Sequence, residues 1–148
     1  MSLTTQNSQR YIFLADDDAD DRELFSDALT EADPSAVLME AEDGMKLMEI
    51  FSTIKDTVPD IVFLDINMPR KGGFECLEEI RKQKGRLQEI IIIMLSTSSD
   101  PEDIEKAMRL GASFYAVKPS CFDTLRTFVS EVLEMDWSTC SSKSFRMI

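Results

Sequence analysis

Four short apolar segments of the sequence are each followed by side chains that can do chemistry. These side chains are Asp16 to Asp18, Asp65, Ser96 with Thr97, and Lys118 before Pro119. Carboxylates without a neighbouring histidine or thiolate form an all-oxygen environment, which suits Mg²⁺ or Mn²⁺ better than zinc or copper. A lysine and a hydroxyl at the same place would neutralise and hydrogen-bond the oxygens of a phosphoryl group. These residue types therefore predict phosphoryl transfer to an aspartate, since a carboxylate can act as the nucleophile.

Some of the acidic residues also have an ordinary structural explanation. Asp18 or Asp20 could cap a helix, and Asp20 and Asp21 would favour the positive end of its dipole. We therefore predict that Asp20 and Asp21 only begin a helix. Asp65 differs, because an acid directly after the apolar run Ile61–Leu64 would be costly to bury without a metal or a partner.

Composition limits the class of protein. The 148 residues are 43% hydrophobic and 30% charged, which is the balance of one globular domain. The net charge of −12 repels phosphate backbones and anionic membrane surfaces, so we expect no direct nucleic-acid or membrane partner. The absence of histidine excludes His-based metal sites and Ser-His-Asp triads. Three widely spaced cysteines fit neither a disulfide framework nor a CxxC site and predict free thiols, namely Cys76, Cys121 and Cys140.

Neither a membrane span nor a signal peptide is evident. The longest strongly apolar run, Ile90 to Leu95, is far shorter than the ~20 residues that cross a bilayer. The first ten residues lack the apolar stretch of a signal peptide. We expect a cytoplasmic protein.

Short apolar runs alternate with longer amphipathic stretches, which predicts βα units and a parallel sheet. The predicted strands are Tyr11–Ala15, Ala36–Ala41, Ile61–Asp65, Ile90–Ser96 and Phe114–Lys118. The predicted helices are Asp20–Thr30, Met45–Ile54, Phe74–Lys82, Glu102–Leu110 and Phe122–Trp137. In such sheets ligands bind beyond the carboxyl ends of the strands, where the four groups of polar side chains fall.

The predicted domain covers residues 11–137, with an N-terminal tail at 1–10 and a polar, frayed C-terminal tail at 138–148. The fourth helix has the clearest boundaries. Asp100-Pro101 supplies a cap and a first-turn proline, and Gly111 follows the last periodic residue, Leu110.

With these elements in place, the sequence resembles the receiver domain of two-component response regulators, from about Tyr11 to Trp137. Each fragment of the match is weak alone, but four in order at the ends of four predicted strands are specific. The fragments are LADDD (Leu14–Asp18), LDINMPRKGG (Leu64–Gly73), MLSTSS (Met94–Ser99) and GASFYAVKP (Gly111–Pro119). The loop after the fourth strand resembles that of stand-alone regulators related to bacterial phytochrome partners, and the matched region resembles stand-alone receivers of the chemotaxis type.

The resemblance implies an α/β fold, a doubly wound (βα)₅ sheet of flavodoxin-like order 2-1-3-4-5. It places the phosphoacceptor at Asp65 and the acidic pair at Asp16 and Asp17. The implied cofactor is Mg²⁺, with Mn²⁺ as a substitute, held by this pair, by Asp65 and by the backbone carbonyl of Asn67. If the first strand ended one residue later, Asp17 and Asp18 would be the pair instead.

The resemblance also assigns roles around the phosphoacceptor. Lys118 is the site lysine, Ser96 the switch hydroxyl and Tyr115 the movable aromatic ring. Serine at position 96 replaces the more common threonine and keeps the hydroxyl. Asn67 and Ser98 are expected to influence the phosphoryl lifetime. Two backbone features are implied as well: a cis peptide between Lys118 and Pro119, and a loop shaped by Gly73.

The resemblance implies that the protein is a phosphorylation switch and not an enzyme. The site is expected to catalyse its own phosphorylation, and hydrolysis of the resulting aspartyl phosphate, only slowly. A sensor histidine kinase or a histidine phosphotransfer protein would supply the phosphoryl group. Because no output domain is evident after Trp137, we expect a downstream protein or a second copy of the chain, as in a homodimer, to contact the surface formed by residues 102–137.

Three alternative functions fit the sequence less well. An aspartate-nucleophile phosphatase usually has an acid two residues after the nucleophile, where this chain has Asn67. A flavodoxin-like flavin protein needs a Ser/Thr/Gly-rich phosphate loop, whereas the first loop here is rich in aspartate. A receiver that has lost phosphorylation is disfavoured because every site position holds a competent residue.

Overall fold

A computed structural model of the chain describes residues 9–53, 58–83, 89–135 and 146–147. Strands and helices alternate as predicted. Half of the boundaries coincide with the predicted ones, most of the others differ by one or two residues, and α5 ends three residues earlier than predicted. The predicted helix ends at Ile54 and Trp137 lie outside the described residues. In chain order the elements are β1 (Tyr11–Ala15), α1 (Ala19–Ala32), β2 (Val37–Ala41), α2 (Gly44–Thr53), β3 (Ile61–Asp65), α3 (Gly73–Lys82), β4 (Ile91–Ser96), α4 (Pro101–Leu110), β5 (Phe114–Val117), α5 (Phe122–Glu134) and β6 (Arg146–Met147).

The strands form one parallel sheet in the order β2-β1-β3-β4-β5-β6. The predicted order 2-1-3-4-5 is confirmed, and the two-residue strand β6 extends the sheet beyond β5. Its residues Arg146 and Met147 belong to the segment that was predicted to be a frayed tail; in the structure they pair with Phe114 and Tyr115. This pairing satisfies backbone groups of β5 that an exposed sheet edge would leave open.

The central strands are buried because helices cover both faces of the sheet. All five residues of β3 are buried, which agrees with the apolar run in the sequence. Alternate residues pack to opposite sides: Val62 and Leu64 lie with α2, α3 and α4, and Phe63 lies with α1 and α5. The ring of Phe63 contacts those of Phe25 and Phe128 edge to face, with centroids 4.8 and 6.1 Å apart. A rigid sheet therefore carries the residues at its carboxyl edge.

Capping residues fix where two helices begin. The side chain of Asp18 accepts hydrogen bonds from Asp20 N at 2.9 Å and Asp21 N at 3.3 Å, so Asp18 caps α1. Because β1 ends at Ala15, as predicted, Asp16 is the first acid after the strand. The predicted boundaries of α4 are confirmed: Asp100 caps it and Gly111, with φ of 101°, ends it.

Two of the three cysteines lie among the described residues, and both are free thiols, Cys76 buried and Cys121 exposed. This confirms the prediction for these two, and Cys140 lies outside the described residues. Among the helices described, none combines the length and the apolar character that a bilayer crossing requires.

Candidate functional site at the carboxyl edge of the sheet

The predicted site residues come together where β1, β3, β4 and β5 end. Asp16 follows β1 directly, Asp65 is the last residue of β3 and Ser96 the last of β4. Lys118 follows β5. Parallel strands in register bring these ends to one edge, and the relative exposures of Asp16, Asp65 and Ser96 are only 3%, 7% and 1%. Buried polar groups of this kind need partners.

Lys118 is the partner of the buried carboxylates. Its Nζ lies 2.9 Å from Asp16 Oδ2 and 3.1 Å from Asp65 Oδ2. A third carboxylate oxygen, Asp21 Oδ2 on α1, lies 3.0 Å away. Burial alone would lower the pKa of Lys118, but hydrogen bonds to Asp16 and Asp21 and the charge of Asp65 raise it. The lysine is therefore a fixed positive charge at the centre of the site.

Asp16, Asp17 and Asp65 form an acidic cluster whose carboxylate oxygens can all lie within 4.8 Å of one another. Burial raises the pKa of Asp65, and the charge of Asp16 raises it further, whereas the charge of Lys118 and its hydrogen bond lower it. Burial likewise raises the pKa of Asp16. Carboxylates this close together repel one another unless a cation lies between them, and three oxygen donors fit Mg²⁺ or Mn²⁺.

The start of the loop after β3 is also ordered around the carboxylate of Asp65. Asn67 donates a backbone hydrogen bond to Asp65 Oδ1 at 3.2 Å, while the metal-binding role of its carbonyl stays a prediction. Gly73 N donates to Ile66 O at 2.9 Å. A Cβ at Gly73 would lie 2.3 Å from the carbonyl oxygen of Asp65, so only glycine fits there. This close approach agrees with the loop-shaping position that the resemblance gave to Gly73.

The two predicted switch residues both hydrogen-bond to Ser98. Ser96 Oγ accepts from Ser98 N at 3.0 Å, and the hydroxyl of Tyr115 donates to Ser98 O at 2.7 Å. The Tyr115 side chain is fully buried. Lys118 N donates to Ser96 O at 2.7 Å, so the ends of β4 and β5 are linked beside the site.

The expected cis peptide between Lys118 and Pro119 is wrong, because the described chain has no cis peptide bond there. The trans form is the lower-energy isomer of an X-Pro bond, by about 0.5–1 kcal/mol.

A cavity of about 330 Å³ adjoins the site between α1 and the start of α5. Asp16, Asp21 and Lys118 line its polar end, and its other wall is apolar. The apolar wall includes Leu14, Leu24, Phe25, Leu95, Phe122 and Leu125. The cavity leads from the surface to the site lysine.

Asp21 is the residue at this site that sequence reasoning missed. It was predicted to be an ordinary residue at the start of a helix, and it does lie in the first turn of α1. The same turn, however, places its carboxylate against Lys118, 97 residues later in the chain. No spacing in the sequence indicates that contact, because it depends on how α1 lies beside the loop that follows β5.

Residues 12–130 match the family model described as the response regulator receiver domain. A curated relative, the probable C4-dicarboxylate response regulator DctR of Bacillus subtilis (strain 168), is 36% identical over 118 residues, which cover 78% of this chain and 48% of DctR. The chain thus spans about half the length of that relative.

Two solved structures support the same comparison. The phosphorylated cyanobacterial phytochrome response regulator RcpA has a TM-score of 0.79 and 29% identity, covering 90% of this chain and 98% of RcpA. The Mn²⁺-bound form of response regulator Rcp1 has a TM-score of 0.75 and 25% identity, covering 89% and 97%. The resemblance to phytochrome response regulators is therefore confirmed.

Proposed function

The chain belongs to the response regulator receiver domain family, and on that premise we propose that it is a phosphorylation switch whose phosphoacceptor is Asp65. The observation that carries the proposal is the position of Lys118, whose Nζ bridges Asp16 Oδ2 at 2.9 Å and Asp65 Oδ2 at 3.1 Å. An ammonium group held there balances negative charge on a phosphoryl group that arrives between them.

The donor is a phosphohistidine of a sensor histidine kinase or of a histidine phosphotransfer protein. A carboxylate oxygen of Asp65 attacks phosphorus, so that a P–O bond forms as the P–N bond to the imidazole breaks. The leaving imidazole nitrogen takes up a proton from solvent water, so that the donor histidine leaves as neutral imidazole. Lys118 stays charged throughout and stabilises the phosphoryl oxygens.

The residues present fit a divalent cation. Asp16, Asp17 and Asp65 would hold it, with the backbone carbonyl of Asn67 as a further oxygen donor. When bound, Mg²⁺ or Mn²⁺ would offset charge on the carboxylates and on the phosphoryl oxygens. The Mn²⁺-bound structure of Rcp1 supports this assignment.

Two features favour this function over the enzymatic and flavin-binding alternatives. Asn67 stands where an aspartate-nucleophile phosphatase usually has its general acid, and an amide does not serve in that role. The loop after β1 carries Asp16, Asp17 and Asp18, whose charges would repel the phosphate of a flavin nucleotide. The protein is therefore a phosphorylation substrate that catalyses its own phosphorylation and hydrolysis only slowly.

The signal leaves through the surface formed by α4, β5 and α5. Ser96 and Tyr115 both bind Ser98 in the present structure. On phosphorylation the Ser96 hydroxyl turns to donate a charge-assisted hydrogen bond to a phosphoryl oxygen, which releases Ser98 N. The loop after β4 then shifts, and Tyr115 changes position with it. A downstream protein, or a second copy of the chain, binds the altered surface.

The test is incubation with acetyl phosphate, with and without Mg²⁺, followed by intact-mass measurement. The parent should gain one phosphoryl group only when Mg²⁺ is present. Asp65→Asn should gain none, because an amide is not a competent nucleophile, whereas the control Asp20→Asn should be labelled like the parent. Alkali-labile labelling of Asp65→Asn at the rate of the parent would show that another residue is the acceptor.

A further inference from the structure

An ion pair between the exposed side chain of Arg70 and the buried side chain of Asp43 joins the loop before α2 to the loop that follows Asp65. Asp43 is only 3% exposed and precedes α2. Its Oδ1 accepts a hydrogen bond from Lys46 N at 2.8 Å, which caps the helix. Its Oδ2 accepts from two nitrogens of Arg70, Nε at 3.1 Å and Nη2 at 2.5 Å. The carboxylate of Asp43 therefore caps the start of α2 and also binds Arg70, which lies 27 residues later in the loop after Asp65.

The backbone of Arg70 has an unusual conformation. Its φ is 66°, and it is the one non-glycine residue with positive φ in the part of the chain that the structure describes. This left-handed region is disfavoured for a residue with a Cβ, and glycine or asparagine is usual there. Such a conformation persists when surrounding contacts hold it, and the two hydrogen bonds to Asp43 are contacts of that kind.

A second contact holds the same loop. Gly44 N, at the start of α2, donates to Lys71 O at 3.1 Å. A Cβ at Gly44 would lie 2.2 Å from that oxygen, so the two backbones approach as closely as glycine permits. At its other end the loop is closed by the hydrogen bond from Gly73 N to Ile66 O. The segment between these contacts contains Asn67.

We propose that the Arg70–Asp43 ion pair is a positioning device, which holds the loop after Asp65 in the shape that brings the Asn67 carbonyl to the divalent cation. The described hydrogen bonds and ion pair of the Arg70 side chain go to Asp43 and not to the site residues, so Arg70 would act through the loop. The inference rests on the proposed function, since it concerns the affinity of the same cation.

Stability alone does not account for Arg70. Its side chain is 65% exposed, and an ion pair with so exposed a partner contributes little to folding. Asp43 also accepts a hydrogen bond from Lys46 N, which does not depend on Arg70. The specific effect of Arg70 is therefore on the shape of the loop.

Substitution of Arg70 separates an effect on metal affinity from an effect on the stability of the fold. Arg70→Gly permits the positive φ without strain and removes the ion pair, whereas Arg70→Lys keeps the charge but loses the paired geometry. The matched control is Lys46→Ala, which removes one half-exposed cation from the neighbouring helix α2. The Kd for Mn²⁺, measured by electron paramagnetic resonance, should rise about tenfold in Arg70→Gly, as for loss of a group that orients a metal ligand.

The Kd of Arg70→Lys for Mn²⁺ should lie between those of the parent and Arg70→Gly, and the Kd of Lys46→Ala should match that of the parent. Without metal, the thermal midpoints of all four proteins should stay close to one another. Asp43→Asn keeps the acceptor for Lys46 N. Combined with Arg70→Gly, it should weaken Mn²⁺ binding no more than Arg70→Gly alone, because both changes remove one interaction.

Several outcomes would overturn the proposal. A parent-like Kd in Arg70→Gly would do so, as would an equal weakening in Lys46→Ala, which would reveal a general charge effect. Full additivity in the double variant would remove Asp43 from the mechanism. If the parent itself bound no Mn²⁺ and gained no phosphoryl group, the proposed function would fail and this inference with it. Failure confined to the Arg70 variants would leave the proposed function intact.

Discussion

The ammonium nitrogen of Lys118 lies 3.0 Å from Asp21 Oδ2, as close as it lies to the carboxylates of Asp16 and Asp65. Asp21 is 41% exposed, whereas the other two are buried. One lysine is therefore shared by two site acids and one outer acid on α1. Asp21 both competes for Lys118 and adds negative charge at the entrance to the site.

We predict that Asp21→Asn accelerates labelling of Asp65 by acetyl phosphate. The change removes a negative charge that repels the anionic donor and frees Lys118 to contact it. The gain should reach at most about fivefold, which corresponds to the ~1 kcal/mol of a half-exposed ion pair. The rate is followed by intact mass at low and high salt, and screening should reduce the difference. Asp20→Asn, with the same charge change, is the control, and an equal gain there would contradict a specific role of Asp21.

We predict that Ser96→Ala is still phosphorylated at Asp65 but is poorly coupled to the output surface. The nucleophile, the acids and Lys118 remain, whereas the hydroxyl that would leave Ser98 for the phosphoryl group is lost. Hydrogen exchange in α4, β5 and α5, with and without beryllofluoride as phosphoryl mimic, measures the coupling. An unchanged response in the variant would remove Ser96 from the switch. No response in the parent would remove this surface as the output.

The crowded acids should destabilise the metal-free fold. Burial, with a contribution from the charge of Asp16, raises the pKa of Asp65. An acid with a higher pKa in the folded state binds its proton more tightly there, so stability increases as pH falls through that pKa and is lowest above it. At pH 7 with chelator, Asp65→Asn should therefore raise the free energy of unfolding, by roughly 1 kcal/mol.

Urea denaturation tests that expectation, and the same experiment includes the metal. Mg²⁺ at 100 times its Kd should stabilise the parent by about 2.7 kcal/mol and the variant by much less. The advantage of the variant over the parent should also shrink as the pH is lowered, because protonation relieves the same repulsion. A variant less stable than the parent in chelator would mean that the Lys118–Asp65 attraction outweighs burial.

The two described thiols should react at very different rates. Burial raises the pKa of Cys76 to about 12, whereas the hydrogen bond with Thr124 lowers the pKa of the exposed Cys121. Since the thiolate is the nucleophile, iodoacetamide at neutral pH should alkylate Cys121 at least about 100 times faster than Cys76. Peptide mass mapping resolves each cysteine, and unfolding in urea should abolish the difference. Equal rates in the native protein would contradict the buried position of Cys76.

The site residues that could be identified from the sequence lie close to strand ends, and the apolar runs of the sequence are enough to place them there. Asp16 and Asp65 come directly after or at the end of apolar runs, so knowing the strands is enough to place them at one edge. Asp18 could also be placed, because a helix start needs a cap. The cap gives Asp18 a structural role, which favours Asp16 and Asp17 as the acidic pair, and that pair stays a prediction.

Contacts between distant loops were not predictable in this way. Asp43 and Arg70 are each unremarkable polar residues in a turn, and their pairing depends on the left-handed backbone at Arg70 and on the close approach of Gly44 to Lys71. Asp21 meets Lys118 only because α1 packs beside the loop after β5. The strand β6 escaped prediction because two residues of a polar segment carry no periodicity.

The shared direction of the strands has a practical consequence for handling the protein. Every strand runs toward the carboxyl edge of the sheet, which carries Asp65 and Lys118. The chain therefore enters β1 at the opposite edge and leaves β6 at the edge that carries the site. Immobilisation on a sensor chip through a linker ahead of Tyr11 would turn the phosphorylation site away from the chip. A linker after Met147 would direct it toward the matrix, where a large kinase would have less access.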